Sequence, residues 1–241
     1  MREPNFDRLL TALLRKGEPD FVPLFEFGIS DKIMTGFLGK PVHDPGRIGI
    51  TLVPPPKNEA LQYIINYVEF YATAGYDFVP IKFGIGGEIL RQLASQHLDN
   101  TVHSTTPNGQ IWASEHIGFL NSISDFEEFI WPDPTTYDLY LFDAVSKIMP
   151  KTMKIVAHAG GMLAHTRNYI GSEQFWIGLY ENPEFPIRVL RKLQELEFVV
   201  IERAINHPAV GAFLLDDDLA YNTGLLENPN FLRQNVFPFY K

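Results

Sequence analysis

The sequence of 241 residues contains no cysteine and carries little positive charge. Without cysteine, disulfide bonds, thiolate metal ligands and a cysteine nucleophile are excluded within this chain. Its 20 lysines and arginines are outnumbered by 29 aspartates and glutamates, which gives a formal net charge of -9. Because no basic stripe that could neutralise phosphates is present, we do not expect nucleic acid as a partner.

Long apolar runs are also lacking. No stretch approaches the ~20 apolar residues that span a bilayer, and the opening MREPNFDRLLTALLRKGEPD is charged throughout, unlike a signal peptide. We therefore expect a cytoplasmic protein without a membrane partner. The composition is 45% hydrophobic and 20% charged, which is ordinary for a globular protein and predicts a single domain over residues 1–241.

Short apolar runs alternate with helical patterns along the chain. The first helix is expected to start after Asn5, whose side chain can cap its amides, and to end at Gly17. Further helices are predicted over 58–75, over 136–149 and across the long region before Pro208. The predicted strands are residues 21–27, 78–83, the apolar part of MKIVAHAGG (153–161) and 210–215. Residues 100–120 are predicted to form an inserted hairpin around Pro107-Asn108-Gly109.

This alternation predicts the α/β class. Strands that are continuous apolar runs are typical of a parallel sheet covered by helices, either a TIM-type barrel or an open doubly wound sheet. In both, side chains that follow the carboxyl ends of the strands lie at one rim. The segments expected there are Glu26, the loop 84–87, residues 158–161 and residues 216–218.

The stretch LLDDDLAYNTG (214–224) places three aspartates directly after an apolar strand. Asp217 and Asp218 are therefore catalytic candidates, because carboxylates at a cleft can act as a base or bind a substrate hydroxyl. The alternative is that they cap the helix that follows this strand. Asn222, Thr223 and Gly224 are expected to form the turn that follows, and Tyr221 and Asn222 are assigned to substrate binding.

The other strand ends supply the remaining candidates. His158 is a catalytic candidate that could hydrogen-bond substrate, with a satisfied structural histidine as the alternative. Gly160 and Gly161 would let the backbone approach a ligand, and Glu26 would need a partner or solvent within its apolar strand. His165 is a weaker candidate, since seven residues from His158 is not a metal-ligand spacing. GIGG (84–87) lacks the glycine pattern of a nucleotide loop.

Several segments together resemble the uroporphyrinogen decarboxylase superfamily. These are NFDRLLTALLRKGEPDFVPLFEFGI, AGYDFVPI, MKIVAHAGG, IGSEQFWIGLYENPE and LLDDDLAYNTGLLENPNFLRQNVFPFYK. The chain is most similar to the branch that contains cobalamin-dependent methyltransferases. This resemblance implies a TIM (β/α)8 barrel, of which the chain would supply the first four to five βα units, because a barrel needs eight such units.

The resemblance also implies an activity and partners. It implies methyl transfer between a small methylated substrate and a corrinoid protein or thiol acceptor, with zinc and a corrinoid as the cofactors of the family. The family's zinc motif contains cysteine, so no metal or cofactor is assigned to this chain alone. We expect a second copy or a separate C-terminal polypeptide to complete the barrel.

Two alternative functions remain open. One is uroporphyrinogen decarboxylase, a lyase of porphyrin biosynthesis. That enzyme carries an RQAGRY-type segment and an FSD-type aspartate where this chain has FEFGISDKIM and IKFGIGG. The other is an inactive remnant or a binding subunit.

Overall fold

The computed structural model describes residues 2–26, 28–42, 57–86, 89, 104–105, 111–112 and 118–241. The chain divides into two compact units. The first unit comprises Met1–Phe83, Tyr137–Ala159 and Ile201–Leu214, and the second comprises Gly84–Thr136, Gly160–Val200 and Leu215–Lys241. The single domain over 1–241 stays a prediction.

Helices make up most of the described secondary structure. They are α1 (Phe6–Leu13), α2 (Asp31–Leu38), α3 (Lys57–Thr73), α4 (Ile123–Glu128), α5 (Tyr140–Ile148), α6 (Met162–Ile170), α7 (Ser172–Glu181), α8 (Glu184–Ile205) and the single turn α9 (Pro229–Phe231). Short 3-10 and π turns cover 134–136 and 232–240. The Asn5 cap is confirmed, since its side chain accepts from the Asp7 N–H at 3.1 Å. None of the described helices is long and apolar enough to cross a membrane.

The strands form one larger sheet and two small ribbons. They are β1 (Phe78–Lys82), β2 (Ser104–Thr105), β3 (Ile111–Trp112), β4 (Lys154–Gly160), β5 (Val210–Asp216), β6 (Ala220–Tyr221) and β7 (Gly224–Leu225). The larger sheet has the order β1-β4-β5, and β1 pairs with β4 in parallel, from Phe78 opposite Lys154 to Lys82 opposite His158. The α/β class with a parallel sheet is therefore confirmed, whereas the barrel stays a prediction.

The core of the first unit lies between this sheet and the helices α3 and α5. Four of the five β1 residues are buried, as expected for a strand of a parallel sheet that helices cover. Helix α3 carries a stripe of aromatic side chains, Tyr63, Tyr67, Phe70 and Tyr71, that belongs to this core. Phe70 and Tyr71 are buried, and the Tyr67 hydroxyl donates to the Pro80 carbonyl at 3.1 Å. The stripe is helix packing, as its helical spacing predicts.

The predicted first strand is wrong over its described residues, 21–26. They pair with no described strand, and the side chains are mostly exposed, with Val22 82% accessible. An apolar run favours a strand, but a strand also needs a hydrogen-bonding neighbour, which the run itself does not specify. Glu26 is consequently exposed and does not lie within a buried strand.

The two strands of the predicted hairpin pair where the structure describes them, while its role as an insertion in the domain stays a prediction. Ser104 lies opposite Trp112 and Thr105 opposite Ile111 in an antiparallel pair. The predicted tip, residues 107–109, lies outside the described residues. The helix α2 and the ribbon of β6 and β7 were not predicted from the sequence.

Candidate active site

The turn that follows β4 is built on two glycines and belongs to the second unit. Gly160 and Gly161 have φ values of +121° and +70°, which side chains other than glycine rarely adopt. The Gly161 N–H donates to the Asp216 carbonyl at 2.6 Å. A Cβ at Gly160 would collide with the same carbonyl, so glycine is required there by the close approach of two backbones.

Asp217 caps helix α6. Its carboxylate accepts from the N–H groups of Leu163 at 2.9 Å and Ala164 at 3.0 Å, two amides that the first helical turn leaves without an internal partner. The Tyr240 hydroxyl donates to the same carboxylate at 2.8 Å. Asp217 is therefore a helix cap, but the prediction of the helix after its own strand is wrong, because the capped helix follows β4 and not β5.

Asp218 contacts a buried arginine. Arg167 Nη2 donates to the Asp218 carbonyl at 2.7 Å and to its carboxylate at 3.1 Å, and Nη1 donates to Glu227 Oε1 at 2.8 Å. Glu227 is buried while the Asp218 side chain is 69% exposed. Burial raises the pKa of Glu227, although the charge of Arg167 works against that rise.

Glu197, on helix α8, is a fully buried carboxyl group. Its Oε2 accepts from the Ile85 N–H at 2.6 Å. No described residue gives Oε1 a donor that meets hydrogen-bond geometry, although the Gly160 N–H is close enough to lower the pKa of Glu197. Burial outweighs both N–H groups and raises the pKa of Glu197 to about 7.

His165 and Tyr169 extend this arrangement from helix α6. Their rings stack with centroids 6.0 Å apart and an interplanar angle of 11°. The Tyr169 hydroxyl donates to the Gly86 carbonyl at 2.9 Å. Burial raises the pKa of Tyr169, and the nearby Glu197 raises it further. The Tyr169 hydroxyl therefore stays protonated at neutral pH and can donate a hydrogen bond.

The second unit therefore holds most of the residues that the sequence singled out. Gly160, Gly161, Asp217 and Asp218 adjoin helix α6 through the contacts above. Tyr221 and Asn222 belong to the β6–β7 ribbon, where Tyr221 pairs with Gly224 and is 70% exposed. The predicted turn through Asn222 and Thr223 is confirmed, while substrate binding by Tyr221 and Asn222 stays a prediction.

The two remaining candidates lie in the first unit. His158 is the fifth residue of β4 and is only 2% exposed, and Glu26 is exposed in the segment that is not a strand. Their roles in catalysis and substrate binding stay predictions. Glu26 lies near Tyr71 and Tyr76, whose pKa values are raised mainly by burial and further by its charge.

The sequence-based candidates omitted Glu197, Arg167 and Tyr240. A signal for Glu197 was present, because it occupies the buried face of α8 between Leu193 and Val200, where helical periodicity calls for an apolar side chain. A carboxyl group at such a position has a cost in free energy that indicates a special role. No comparable signal marked the pairing of Arg167 with Glu227, which are 60 residues apart.

The zinc implied by the resemblance finds no ligand set in the described part of the chain. No three histidine, aspartate or glutamate side chains converge there in a way that could hold a metal ion. Asp217, Asp218 and Glu227 are engaged with helix amides and Arg167, and the chain supplies no thiolate. We therefore assign no residue of this chain to zinc, and the corrinoid stays a prediction.

No family model and no curated protein matches the sequence. The fold is similar to that of a methyltransferase from Methanosarcina mazei, with a TM-score of 0.57 and 13% sequence identity. The match covers 99% of this chain and 65% of that chain, so this chain spans just under two thirds of that protein's length. At 13% identity the similarity concerns the fold alone. This chain and that methyltransferase have similar α/β folds.

Proposed function

We propose that this chain is methyltransferase-like and transfers a methyl group between a small methylated substrate and a corrinoid protein or a thiol acceptor. The observation that carries the proposal is the similarity of nearly the whole fold to a methyltransferase. The arrangement at α6 adds support, because it combines carboxylates, a tyrosine hydroxyl and an imidazole in one unit. Such groups can bind and orient a small polar substrate.

Methyl transfer requires few steps from the protein. The acceptor attacks the methyl carbon, the bond from that carbon to the substrate heteroatom breaks, and the heteroatom keeps the electron pair and takes up a proton. In the proposed site, Asp218 and the Tyr240–Asp217 pair orient the substrate, and Gly160 and Gly161 allow its close approach. The proton would come from solvent or from one of these groups.

The test uses the 241-residue chain with substrates that carry a deuterated methyl group. Methylated amines, methanol and methyl thioethers are offered with a thiol or a reduced corrinoid, and the labelled acceptor is measured by mass spectrometry. We expect transfer that falls at least about tenfold in D218N, as is typical for a lost orienting group. The matched control is D125N, because Asp125 is a half-buried carboxylate of the same unit that accepts from a backbone N–H.

Each outcome has a separate meaning. Transfer that is equal in wild type and D218N would show that the site is assigned to the wrong residues. The absence of transfer to either acceptor from every substrate would contradict the methyltransferase proposal itself. Turnover of uroporphyrinogen in the same preparation would favour the decarboxylase alternative.

A second candidate function is binding without catalysis. The observation that favours it is that Asp217 and Glu227 are engaged in a helix cap and an ion pair, which are structural tasks. Calorimetry with the same methylated compounds distinguishes the two functions. Saturable binding without transfer would support the binding subunit.

A further inference from the structure

The segment Gly84-Ile85-Gly86 is held by side chains from two helices of the second unit. Glu197 of α8 accepts from the Ile85 N–H at 2.6 Å, and Tyr169 of α6 donates to the Gly86 carbonyl at 2.9 Å. One N–H donor and one carbonyl acceptor of this short segment are thus bound by a carboxyl group and a phenol. Its position depends on both.

The two glycines make room for these contacts. A Cβ at Gly84 would lie 2.5 Å from Glu197 Oε1, and the residue has a φ of +134°. A Cβ at Gly86 would lie 2.5 Å from His165 Nε2. Both glycines are therefore explained by the approach of a carboxyl group and an imidazole, which gives the GIG sequence a role other than nucleotide binding.

We propose that Glu197 is a proton-controlled latch, whose neutral carboxyl group keeps the Gly84–Gly86 segment closed and whose ionised form opens it. In the closed arrangement the side chain is fully buried, and one of its two oxygens has no donor in hydrogen-bond geometry within the described part of the chain. An anion in this position lacks most of the hydration that opening would restore.

Among the described residues, the groups that face Glu197 do not neutralise a negative charge. They are the hydroxyls of Tyr169 from α6 and Tyr240 from the C-terminal segment, and the N–H groups of Ile85 and Gly160. Burial raises the pKa of both tyrosines, so neither carries charge near neutral pH. His165 of α6 lies against Gly86. Histidine is a residue type that changes charge in the same pH range, so His165 must be distinguished from Glu197 in the test.

Linkage gives the direction and size of the effect. Burial raises the pKa of Glu197 from its ordinary 4.5 to about 7 in the closed form, and opening would return it towards the ordinary value. The closed form therefore binds the proton more tightly, and the opening equilibrium rises with pH. Between pH 5 and pH 8 the rise is on the order of a hundredfold. This latch does not depend on the proposed methyl transfer.

Hydrogen exchange of the Ile85 amide tests the latch directly. Protection, corrected for the intrinsic exchange rate at each pH, is measured from pH 5 to pH 8 in wild type, E197Q and E195Q. We expect it to fall on the order of a hundredfold in wild type and to stay nearly constant in E197Q. E195Q should behave as wild type, because Glu195 is an exposed residue of the same helix whose carboxylate contacts Lys192 at the surface.

Two results would overturn the proposal. One is constant protection in wild type, and the other is an undiminished fall in E197Q, which would assign the pH dependence to His165. A second measurement needs no variant: the carboxyl ¹³C shift and the Ile85 amide shift of wild type are followed against pH. A shared midpoint near pH 7 supports the latch, and a midpoint near the ordinary value for glutamate contradicts it.

Discussion

The two units bury a carboxylate in opposite ways. In the first unit, Asp77 has a fully buried side chain that accepts hydrogen bonds from the Arg8 guanidinium and from the Asn5 N–H at 2.9 Å, and it lies 3.4 Å from Arg2. In the second unit, the equally buried Glu197 accepts from one backbone N–H and has no cationic partner among the described contacts.

The difference separates a structural carboxylate from one that can change charge. Positive partners keep a buried carboxylate ionised and make its removal costly, because each arginine would be left without its counter-ion. A buried carboxyl group without such partners takes up a proton at a higher pH, and its state then depends on conditions. Breaking each arrangement in turn tests this distinction.

The largest effect is expected at Asp77. D77N leaves Arg8, whose side chain is 5% exposed, paired with the exposed Asp20. Removing one member of a buried pair costs about 3–5 kcal/mol, so we expect the free energy of unfolding in urea to fall by that amount. In the control D20N the loss should stay below about 1 kcal/mol, because the Asp20 side chain is 61% exposed. Equal losses in the two variants would contradict the distinction.

The next effect is the pH dependence that Glu197 adds to stability. Its pKa is about 7 in the folded chain against an ordinary 4.5, so the folded state binds the proton more tightly. The stabilising contribution is complete below pH 4.5 and is lost as the pH rises through 7, a change of about 3 kcal/mol at most.

Urea unfolding of wild type, E197Q and E195Q at several pH values measures this contribution. The stability of wild type relative to E197Q should decline between pH 4.5 and pH 7, whereas E195Q should follow wild type. Parallel curves for wild type and E197Q would show that Glu197 has an ordinary pKa in the folded chain.

The comparison also shows what the sequence could predict of the fold. The strands β1, β4 and β5 were predicted within one or two residues. A short continuous apolar run that ends at glycine or aspartate is typical of a buried strand. The segment 21–27 has the same pattern and is not a strand over its described residues. A strand depends on a neighbour elsewhere in the chain, and local pattern does not contain that information.

The site was predictable where it follows directly from a strand. Gly160, Gly161 and Asp217 were predicted because they come after apolar runs. The helix that Asp217 caps could not be predicted, because Leu163 is 54 residues away in the sequence. Glu197 was within reach of the sequence, as a charged residue on an otherwise apolar helical face. The contact of Glu197 with the Ile85 N–H could not be predicted, because the two residues are 112 positions apart in the sequence.

For Glu227 the expected loss of stability is smaller than for Asp77 and Glu197. It has one cationic partner, Arg167, so E227Q keeps an acceptor for Nη1 but loses the charge that neutralises a buried guanidinium. We expect the unfolding free energy to fall by about 2 kcal/mol, the usual value for a hydrogen bond to a charged group. D218N removes the exposed partner of the same arginine and should cost below about 1 kcal/mol. The reverse order of the two losses would mean that Arg167 is stabilised mainly by Asp218.

The smallest effect is expected at Asp217, whose carboxylate is balanced by helix amides and not by a cation. D217A removes the acceptor for the Leu163 and Ala164 N–H groups, and loss of such a cap costs about 1 kcal/mol. D217N keeps one oxygen and should recover part of that loss. S122A provides a benchmark, because Ser122 caps α4 through a hydrogen bond from the Asp125 N–H at 3.1 Å. Urea unfolding at pH 7 measures all three variants, and a loss in D217A several times that in S122A would mean that the hydrogen bond from the Tyr240 hydroxyl contributes more than the cap.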